Sequence, residues 1–316
     1  MFDFPGVFLL LLLVVVLGWL TRRAWRAKRS VVKWPGTTLA GLLTLVISVL
    51  LGAALFGYWK LNRTYDNPVP QLSVAVTAER VARGERFELL CAGCHAPDTS
   101  TAMTGNDFLG EGAPPIGYFY APNLTPVHLA DWSDGEIIRA IREGVHRSGR
   151  SLLIMPSSIW RNLSDEDVQA IVAYLRSLPA EGSETPPNRL NVLGAVMSLL
   201  MPIFEAQPPI TEPVLSPPTG PTAAYGAYVS SFTCELCHGS DLLGDPNFQV
   251  PPLVAITLAW SEQEFIQFMR TGIRPGGSSV DGEAMPWKEL SALLNNDDEL
   301  RAVYAHLQEE GAEYAR

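Results

Sequence analysis

Cysteine is scarce in this chain of 316 residues: four are present, and all four stand in two copies of the pattern Cys-x-x-Cys-His. The copies occupy residues 91–95 and 234–238. No cysteine is left for a disulfide framework or for a separate catalytic thiol. Histidine is also scarce, and two of the five histidines belong to these patterns. The chemistry of the chain is therefore concentrated in two short segments.

Positive charge is missing from most of the chain. The formal net charge is −10, and residues 1–60 carry +6, so residues 61–316 carry −16. An acidic surface argues against nucleic-acid binding, because phosphates are bound by Lys and Arg. It suits the attraction of a basic protein partner at low salt, or it simply keeps the protein soluble.

Each Cys-x-x-Cys-His pattern indicates covalent attachment of a c-type haem. Two thiols three residues apart reach the two vinyl groups of a porphyrin, and the adjacent histidine presents a ring nitrogen to the iron. The alternative is zinc, since a Cys-x-x-Cys pair can be half of a four-cysteine site. The two pairs stand 143 residues apart, far beyond the usual spacing in such sites. We therefore predict two covalently bound haem c groups, held by Cys91, Cys94 and His95 and by Cys234, Cys237 and His238.

Two methionines are predicted to be the sixth ligands of the irons. Met155 and Met285 are each followed by proline, and they come 23 and 25 residues after Trp132 and Trp260. His–Met ligation is found in electron-transfer cytochromes c and raises the reduction potential. The alternative axial ligands are the three remaining histidines, His128, His146 and His306.

The histidine that binds haem iron usually donates its other ring N–H to a carbonyl or carboxylate, which fixes its orientation. A Pro-Pro pair follows each Cys-x-x-Cys-His pattern. We expect the carbonyl groups of Pro114 and Pro251 to orient His95 and His238.

Two long apolar segments precede the first motif, at residues 2–20 and 37–61. Each is long enough to span a bilayer, and residues 1–62 are predicted to form a transmembrane hairpin. The connecting loop, residues 21–34, holds six basic residues and no acid, which favours the cytoplasmic side. A cleaved signal peptide would have a basic segment before the first apolar run, so we expect that run to be retained. The prediction is a two-pass protein of the bacterial inner membrane whose haems lie on the periplasmic side.

The rest of the chain repeats itself, and 128 residues separate Trp132 from Trp260. Each copy reads as helix, Cys-x-x-Cys-His, Pro-Pro loop, helix, Met-Pro loop and helix. Ser133 and Ser261 are each followed three residues later by Glu, the capping box that begins a helix. No alternating strand pattern stands between these elements, so the predicted fold class is all-α. The predicted domains are 76–180 and 222–316.

A proline-rich linker, residues 181–221, is expected between the two domains. It contains an apolar stretch at residues 190–204 that is too short to span a bilayer comfortably. Three placements are open from the sequence. The stretch packs across the two domains, rests on the membrane surface, or docks on a partner subunit.

These features resemble class I cytochrome c domains, twice over. Residues 79–180 resemble the cytochrome c subunits of membrane-bound alcohol and gluconate dehydrogenases, through Arg-Gly-Glu at 83–85, Ala-Pro-Asn-Leu-Thr-Pro at 121–126, and Trp-Ser-Asp-Gly-Glu at 132–136. Met-Pro at 155–156 and the helix at 163–178 extend the resemblance. Residues 222–316 are similar to class I cytochrome c in general. The resemblance implies helices packed around a haem and electron transfer between redox partners.

The function predicted from the sequence is therefore single-electron relay by a membrane-anchored dihaem cytochrome with no substrate chemistry of its own. It would serve as a subunit of a respiratory, photosynthetic or dehydrogenase complex. A haem enzyme such as a peroxidase, or a gas sensor, is the alternative, and it would need a labile iron with His128 or His146 nearby. A third hypothesis makes the hairpin an assembly anchor and the haems vestigial.

Overall fold

The computed structural model describes residues 2–97, 102–107, 116–201, 204–246, 249–282, 284–294 and 296–315. The fold is predominantly helical. Up to the linker the helices are α1 (Phe4–Trp25), α2 (Ser30–Asn62), α3 (Ala78–Glu85), α4 (Glu88–His95), α5 (Pro126–Leu129), α6 (Asp134–Glu143), α7 (Ser157–Trp160) and α8 (Asp165–Ser177). They are followed by α9 (Val192–Met197), α10 (Ala223–Thr233), α11 (Glu235–His238), α12 (Leu253–Thr257), α13 (Glu262–Thr271), α14 (Trp287–Leu293) and α15 (Asp297–Tyr314).

Helices α1 and α2 pack against each other, with the hydroxyl oxygens of Thr21 and Thr44 3.3 Å apart. At 22 and 33 residues, both are long and apolar enough to cross a bilayer. The basic loop expected over residues 21–34 is shorter in the structure, because the helices extend into it and leave only residues 26–29 outside. Arg and Lys are good helix formers, so a run of them continues a helix past its apolar part.

The helix starts predicted at Ser133 and Ser261 are confirmed. In both, the serine hydroxyl accepts from the backbone N–H of the glutamate three residues on, and that glutamate accepts from the serine N–H. Both helices end at a glycine in the left-handed region, Gly144 at φ 65° and Gly272 at φ 69°. Other residues adopt this conformation at a cost, so the glycines end α6 and α13 at equivalent places.

Among the described residues, four two-residue strands form two small antiparallel pairs. β1 (Asn106–Asp107) pairs with β3 (Tyr120–Ala121), and β2 (Gly117–Tyr118) pairs with β4 (Arg189–Leu190). The second pair joins the linker to the first repeat, with Gly117 opposite Leu190.

The apolar stretch 190–204 lies against α2 and the first repeat. Helix α9 packs on α2, and the Tyr58 hydroxyl donates to the Leu190 carbonyl at 3.1 Å. Ser151 Oγ donates to the Phe204 carbonyl at 3.0 Å. Packing across the two repeats, one of the three placements left open by the sequence, is therefore not the arrangement in the structure.

Each repeat is held together by a close crossing of two helices at a glycine. A Cβ atom on Gly84 of α3 would lie 2.0 Å from the carbonyl oxygen of Ala170 in α8. In the second repeat, a Cβ atom on Gly226 of α10 would lie 1.8 Å from the carbonyl oxygen of Ala302 in α15. Both distances are far below van der Waals contact. Only glycine permits these crossings, so the two repeats share the same way of joining their first and last helices.

Gly84→Ala is expected to destabilise the protein by about 1–3 kcal/mol or more, because the added methyl group forces α3 and α8 apart. Denaturant unfolding followed by circular dichroism measures this loss. The control is Gly93→Ala in α4, where a Cβ meets no atom within 4 Å and alanine is the better helix former. Equal stability of the two variants would contradict the close crossing.

Candidate functional site

The first Cys-x-x-Cys-His pattern lies at the end of α4, and the helix determines its geometry. Cys91 and Cys94 are one helical turn apart, so both thiols lie on one side of the helix. Burial, and then the neighbouring Cys94 and Glu88, raises the pKa of Cys91 to about 12. Burial also raises the pKa of Cys94. Both side chains are therefore neutral thiols facing the interior of the first repeat.

His95 ends α4 and is buried. Its Nδ1 lies 2.7 Å from the Pro122 carbonyl oxygen. A carbonyl can only accept, so Nδ1 carries the proton and Nε2 is left with a free lone pair. Burial lowers the pKa of His95, which keeps the ring neutral. The neutral ring with Nε2 free is the form that binds a metal.

The carbonyl beside His95 belongs to Pro122 and not to Pro114, the residue named from the sequence, which lies outside the described residues. The loop after His95 is longer than its counterpart in the second repeat: Pro122 follows His95 by 27 residues, and Pro251 follows His238 by 13. The Pro-Pro pair therefore marks the bonded carbonyl in the second repeat but not in the first. The local sequence carried a better signal, because Pro-x-Leu occurs at Pro122 and at Pro251.

A single cavity brings together the four residues predicted for the first haem. Its wall includes Cys91, Cys94, His95 and Met155. Most of the remaining wall is apolar or aromatic, including Leu90, Leu124, Leu129, Trp132, Ile137, Ile141, Trp160, Ile171 and Leu175. A haem is a flat aromatic macrocycle, and apolar side chains can pack against its two faces. The two cysteines could form the thioethers, and the histidine nitrogen and the methionine sulfur could bind the iron. The residues present fit a haem.

Met155 reaches the cavity from a strained turn. The residue before it, Ile154, has φ 63°, a conformation that β-branched residues rarely adopt. Such strain is concentrated at functional sites. Pro156 follows and caps α7, and the Ser157 N–H donates to the Met155 carbonyl at 2.8 Å. The sequence analysis missed Ile154, since nothing in the local residues indicates a left-handed turn there.

Two histidines line the polar side of the cavity. His128 Nδ1 lies 2.7 Å from Glu184 Oε2. His146 packs edge-on against Trp132, with ring centroids 4.9 Å apart. Burial, and then the nearby Arg150, lowers the pKa of His146 to about 4, so this ring is neutral near pH 7. The third candidate, His306, lies on α15, 4.0 Å from Glu310, and is not among the residues that line this cavity.

The second Cys-x-x-Cys-His pattern begins at Cys234, the residue between α10 and α11, and continues through all of α11. His238 is buried, and its Nδ1 lies 3.0 Å from the Pro251 carbonyl oxygen. Burial lowers the pKa of His238, as it does for its counterpart in the first repeat. Cys234 is half-buried and Cys237 is exposed.

Met285 occupies a turn like that of Met155. The next residue, Pro286, has φ −77° and ψ 61°, compared with −79° and 55° for Pro156. The Trp287 N–H donates to the Met285 carbonyl at 2.7 Å. Met285 is partly buried and packs against the hydrophobic core. The Met-Pro pair therefore folds the same way in both repeats.

Two backbone hydrogen bonds that follow the first histidine have counterparts after the second. The Gly105 N–H donates to the His95 carbonyl, and the Gly244 N–H donates to the His238 carbonyl, both at 2.8 Å. Further along, the Leu124 N–H donates to Met103 and the Leu253 N–H donates to Leu242, again at 2.8 Å. Among the described residues, no three His, Cys, Asp or Glu side chains come together as a metal site.

Comparison with known families decides the identity of the first repeat. Residues 81–179 match the family model for cytochrome c. These residues form a cytochrome c domain. A cytochrome c domain implies a covalently bound haem c and a role in electron transport.

Several curated relatives are also similar to this chain. A nicotinate dehydrogenase subunit of Pseudomonas putida is 27% identical over 314 residues, covering 89% of this chain and 25% of that protein. The cytochrome c subunit of the alcohol dehydrogenase (quinone) of Komagataeibacter europaeus is 25% identical over 69% of this chain and 53% of its own length. A diheme cytochrome c-type protein of Cereibacter sphaeroides is 23% identical over 84% of this chain and 97% of its own. The chain thus spans about a quarter and about half of the first two relatives.

Proposed function

We propose that this chain is a membrane-anchored dihaem c-type cytochrome that relays single electrons on the periplasmic side of the bacterial inner membrane. It acts as a subunit of a respiratory, photosynthetic or dehydrogenase complex and has no substrate chemistry of its own. The observation that carries the proposal is the repeated arrangement of two cysteines, a carbonyl-bonded histidine and a Met-Pro turn.

Each haem would be held by four residues of one repeat. Haem iron supplies a one-electron couple when bound. Cys91 and Cys94 fix the first haem and Cys234 and Cys237 the second. His95 and His238 bind iron through Nε2, because their Nδ1 atoms are engaged by the Pro122 and Pro251 carbonyls. The methionines complete the two ligand sets, Met155 and Met285.

A second cytochrome c domain over residues 222–316 is supported by the matching hydrogen bonds of the two repeats. It is also supported by the interface between them. Asp167 accepts from Arg83 of its own repeat at 2.7 Å and from the Tyr228 hydroxyl of the other. Glu299 accepts from the Tyr225 hydroxyl of its own repeat at 3.1 Å and pairs with Arg86 of the other at 2.6 Å.

These contacts make the interface self-complementary. Arg83 and Tyr225 are 142 residues apart, and so are Arg86 and Tyr228. Two equivalent surfaces that exchange equivalent contacts are related by an approximate twofold axis. This arrangement brings equivalent faces of the two repeats together.

Aromatic rings connect the two repeats close to the cysteines. The ring centroids of Phe87 and Phe232 are 5.7 Å apart, and both side chains are buried. Phe87 stands four residues before Cys91, and Phe232 stands two residues before Cys234. The contact supports direct electron transfer between the two haems within one chain.

Anchoring by α1 and α2 is supported by their length and composition, and orientation by the basic residues between the spans. Partner subunits are supported by the relatives, several of which are cytochrome subunits of dehydrogenases. The acidic surface of residues 61–316 fits electrostatic steering of a basic redox protein.

The test of the dihaem proposal is the number of covalent haems. The protein made with a c-type maturation system should show haem stain on a denaturing gel and a mass increase of two haems. Cys91→Ala with Cys94→Ala should leave one haem, and so should Cys234→Ala with Cys237→Ala. The control is Ser231→Ala, next to the second motif, which should retain two. A wild-type protein with one haem or none would overturn the proposal.

A further inference from the structure

We propose that four exposed apolar side chains at one end of the hairpin, Phe4, Trp59, Leu193 and Leu200, insert into the outer leaflet of the lipid bilayer. We call these four residues the apolar collar. The inference rests on the proposed function, in that α1 and α2 must span the membrane. It adds that the linker between the repeats also binds lipid and thereby fixes how the first repeat sits on the bilayer.

The linker helix α9 is locked to the end of the hairpin. A Cβ atom on Gly57 would lie 2.0 Å from the Ala195 carbonyl oxygen, so the backbones of α2 and α9 touch. At the start of α1, a Cβ on Gly6 would lie 2.7 Å from a methyl carbon of Val192. Helix α9 therefore lies beside the last turns of α2 and the first turn of α1.

One side of this segment is buried and the other is exposed. Gly194, Ala195 and Ser198 are buried. Leu193 of α9 and Leu200, three residues after the end of α9, are 47% and 81% exposed. Residues 190–204 contain no charged side chain. An uncharged segment that turns leucines outward fits an interfacial lipid contact.

The collar continues the lipid-facing surface of the hairpin. Trp59 is 59% exposed and stacks on Phe56, with ring centroids 5.4 Å apart. At the start of α1, Phe4 is 73% exposed and contacts Phe2, which in turn contacts Tyr58. Aromatic residues are enriched where a span meets the water. The linker touches α2 on both sides of Trp59, since Gly57 packs on Ala195 and Lys60 donates to the Ser198 carbonyl.

The nearest cation of α2 is paired with Glu205, the residue that follows the apolar stretch 190–204. Lys60 Nζ donates to the Ser198 carbonyl at 2.9 Å and lies 2.7 Å from Glu205 Oε1. The Lys60 side chain is 13% exposed. Asp3, at the other end of the collar, accepts from the Gly6 N–H at 3.0 Å. Satisfied charges allow this end of the hairpin to enter the interfacial layer without burying an unpaired ion.

The first cytochrome c domain would thereby be held beside the membrane in one orientation. Phe2 and Phe4 line a recess together with Tyr120, His128 and His146, and the last three also line the haem cavity. The open side of that cavity would then face the membrane surface. A redox partner of the first haem would then have to bind next to the membrane surface.

The test is photolabelling of the complete haem-loaded protein in vesicles of phosphatidylcholine and phosphatidylglycerol that carry a diazirine on an acyl chain. Peptides from residues 190–201 should be labelled together with peptides from α2. Their labelling should exceed that of residues 210–218 by about tenfold, the ratio expected from burial of one leucine side chain. Leu215 lies in that reference segment and is 79% exposed, which makes it a matched control for Leu200.

Leu193→Gln with Leu200→Gln should reduce labelling of residues 190–201 about tenfold and leave α2 labelling and the haem spectrum unchanged. Leu215→Gln should change nothing. If α2 is labelled and residues 190–201 are not, the proposal that the apolar collar enters the bilayer is wrong, while the anchoring by α1 and α2 still holds. This result is expected if a partner protein covers the two leucines. Unlabelled α2 would instead overturn the proposed anchoring itself.

Discussion

Met155→Ala should abolish the methionine–iron charge-transfer band of one haem, and Met285→Ala should abolish that of the other. Each loss should lower the reduction potential of the affected haem by roughly 0.1–0.2 V, within the ≈0.8 V range that axial ligands cover. Optical redox titration of the two variants measures both effects. The physical reason is that thioether sulfur favours ferrous iron, and the alanine side chain cannot reach it.

Carbon monoxide distinguishes electron relay from the haem-enzyme and gas-sensor alternatives. The reduced wild-type protein should not bind it promptly, whereas each alanine variant should bind one equivalent. Met103→Leu is the matched control, because Met103 is buried where the second repeat has Leu242. A wild-type protein that lacks one of the two methionine–iron bands, with carbon monoxide binding prompt in His146→Ala and absent in Met155→Ala, would assign the sixth ligand to His146.

Local sequence signals predicted much of the site because they act over a few residues. The capping boxes at Ser133 and Ser261 and the glycine stops at Gly144 and Gly272 depend only on neighbours within one helix. The Cys-x-x-Cys-His pattern is also local, and in the first repeat the helix places both thiols on one side. The two Met-Pro turns adopt nearly the same backbone angles, as expected from the repeat.

Long-range contacts were not predictable in the same way. The Pro122 carbonyl reaches His95 across a loop whose length differs between the repeats, and the shared Pro-Pro pair pointed instead to Pro114. Strain at Ile154 is imposed by the packing around it. Asp167 reads in the sequence only as an acid at a helix start, and it does accept a hydrogen bond there from Ser164 Oγ, at 3.0 Å. Asp167 also accepts a hydrogen bond from the Tyr228 hydroxyl of the other repeat, and this contact forms only when the two repeats pack together.

The placement of the linker illustrates the same limit. Its apolar composition left three placements open, and the close fit of the Gly57 and Ala195 backbones sets the stretch against α2 and not across the two repeats. Glycine in an apolar helix is too common to indicate a partner. The contact becomes visible only when both segments have their final positions.

The core of the structure is continuous across the two repeats, and the buried ring pair Phe87–Phe232 lies at the crossing. Phe232 is 2% exposed, and its ring centroid is 5.3 Å from that of Tyr228. Phe232→Ala should lower the free energy of unfolding by about 3–5 kcal/mol, because it removes a fully buried ring and leaves a cavity. Tyr314→Ala is the control, since Tyr314 is a 59% exposed aromatic residue near the end of α15.

The effect of Phe232→Ala should extend beyond total stability, since the ring couples two units that each have their own helices. In the wild-type protein, circular dichroism and haem absorbance should report one coincident unfolding transition, as expected for a shared core. The variant should show two transitions, and electron equilibration between the haems after rapid reduction should slow. A single transition at wild-type stability would mean that the two repeats fold independently of this contact. In that case, the contact between Phe87 and Phe232 would no longer support direct electron transfer between the two haems.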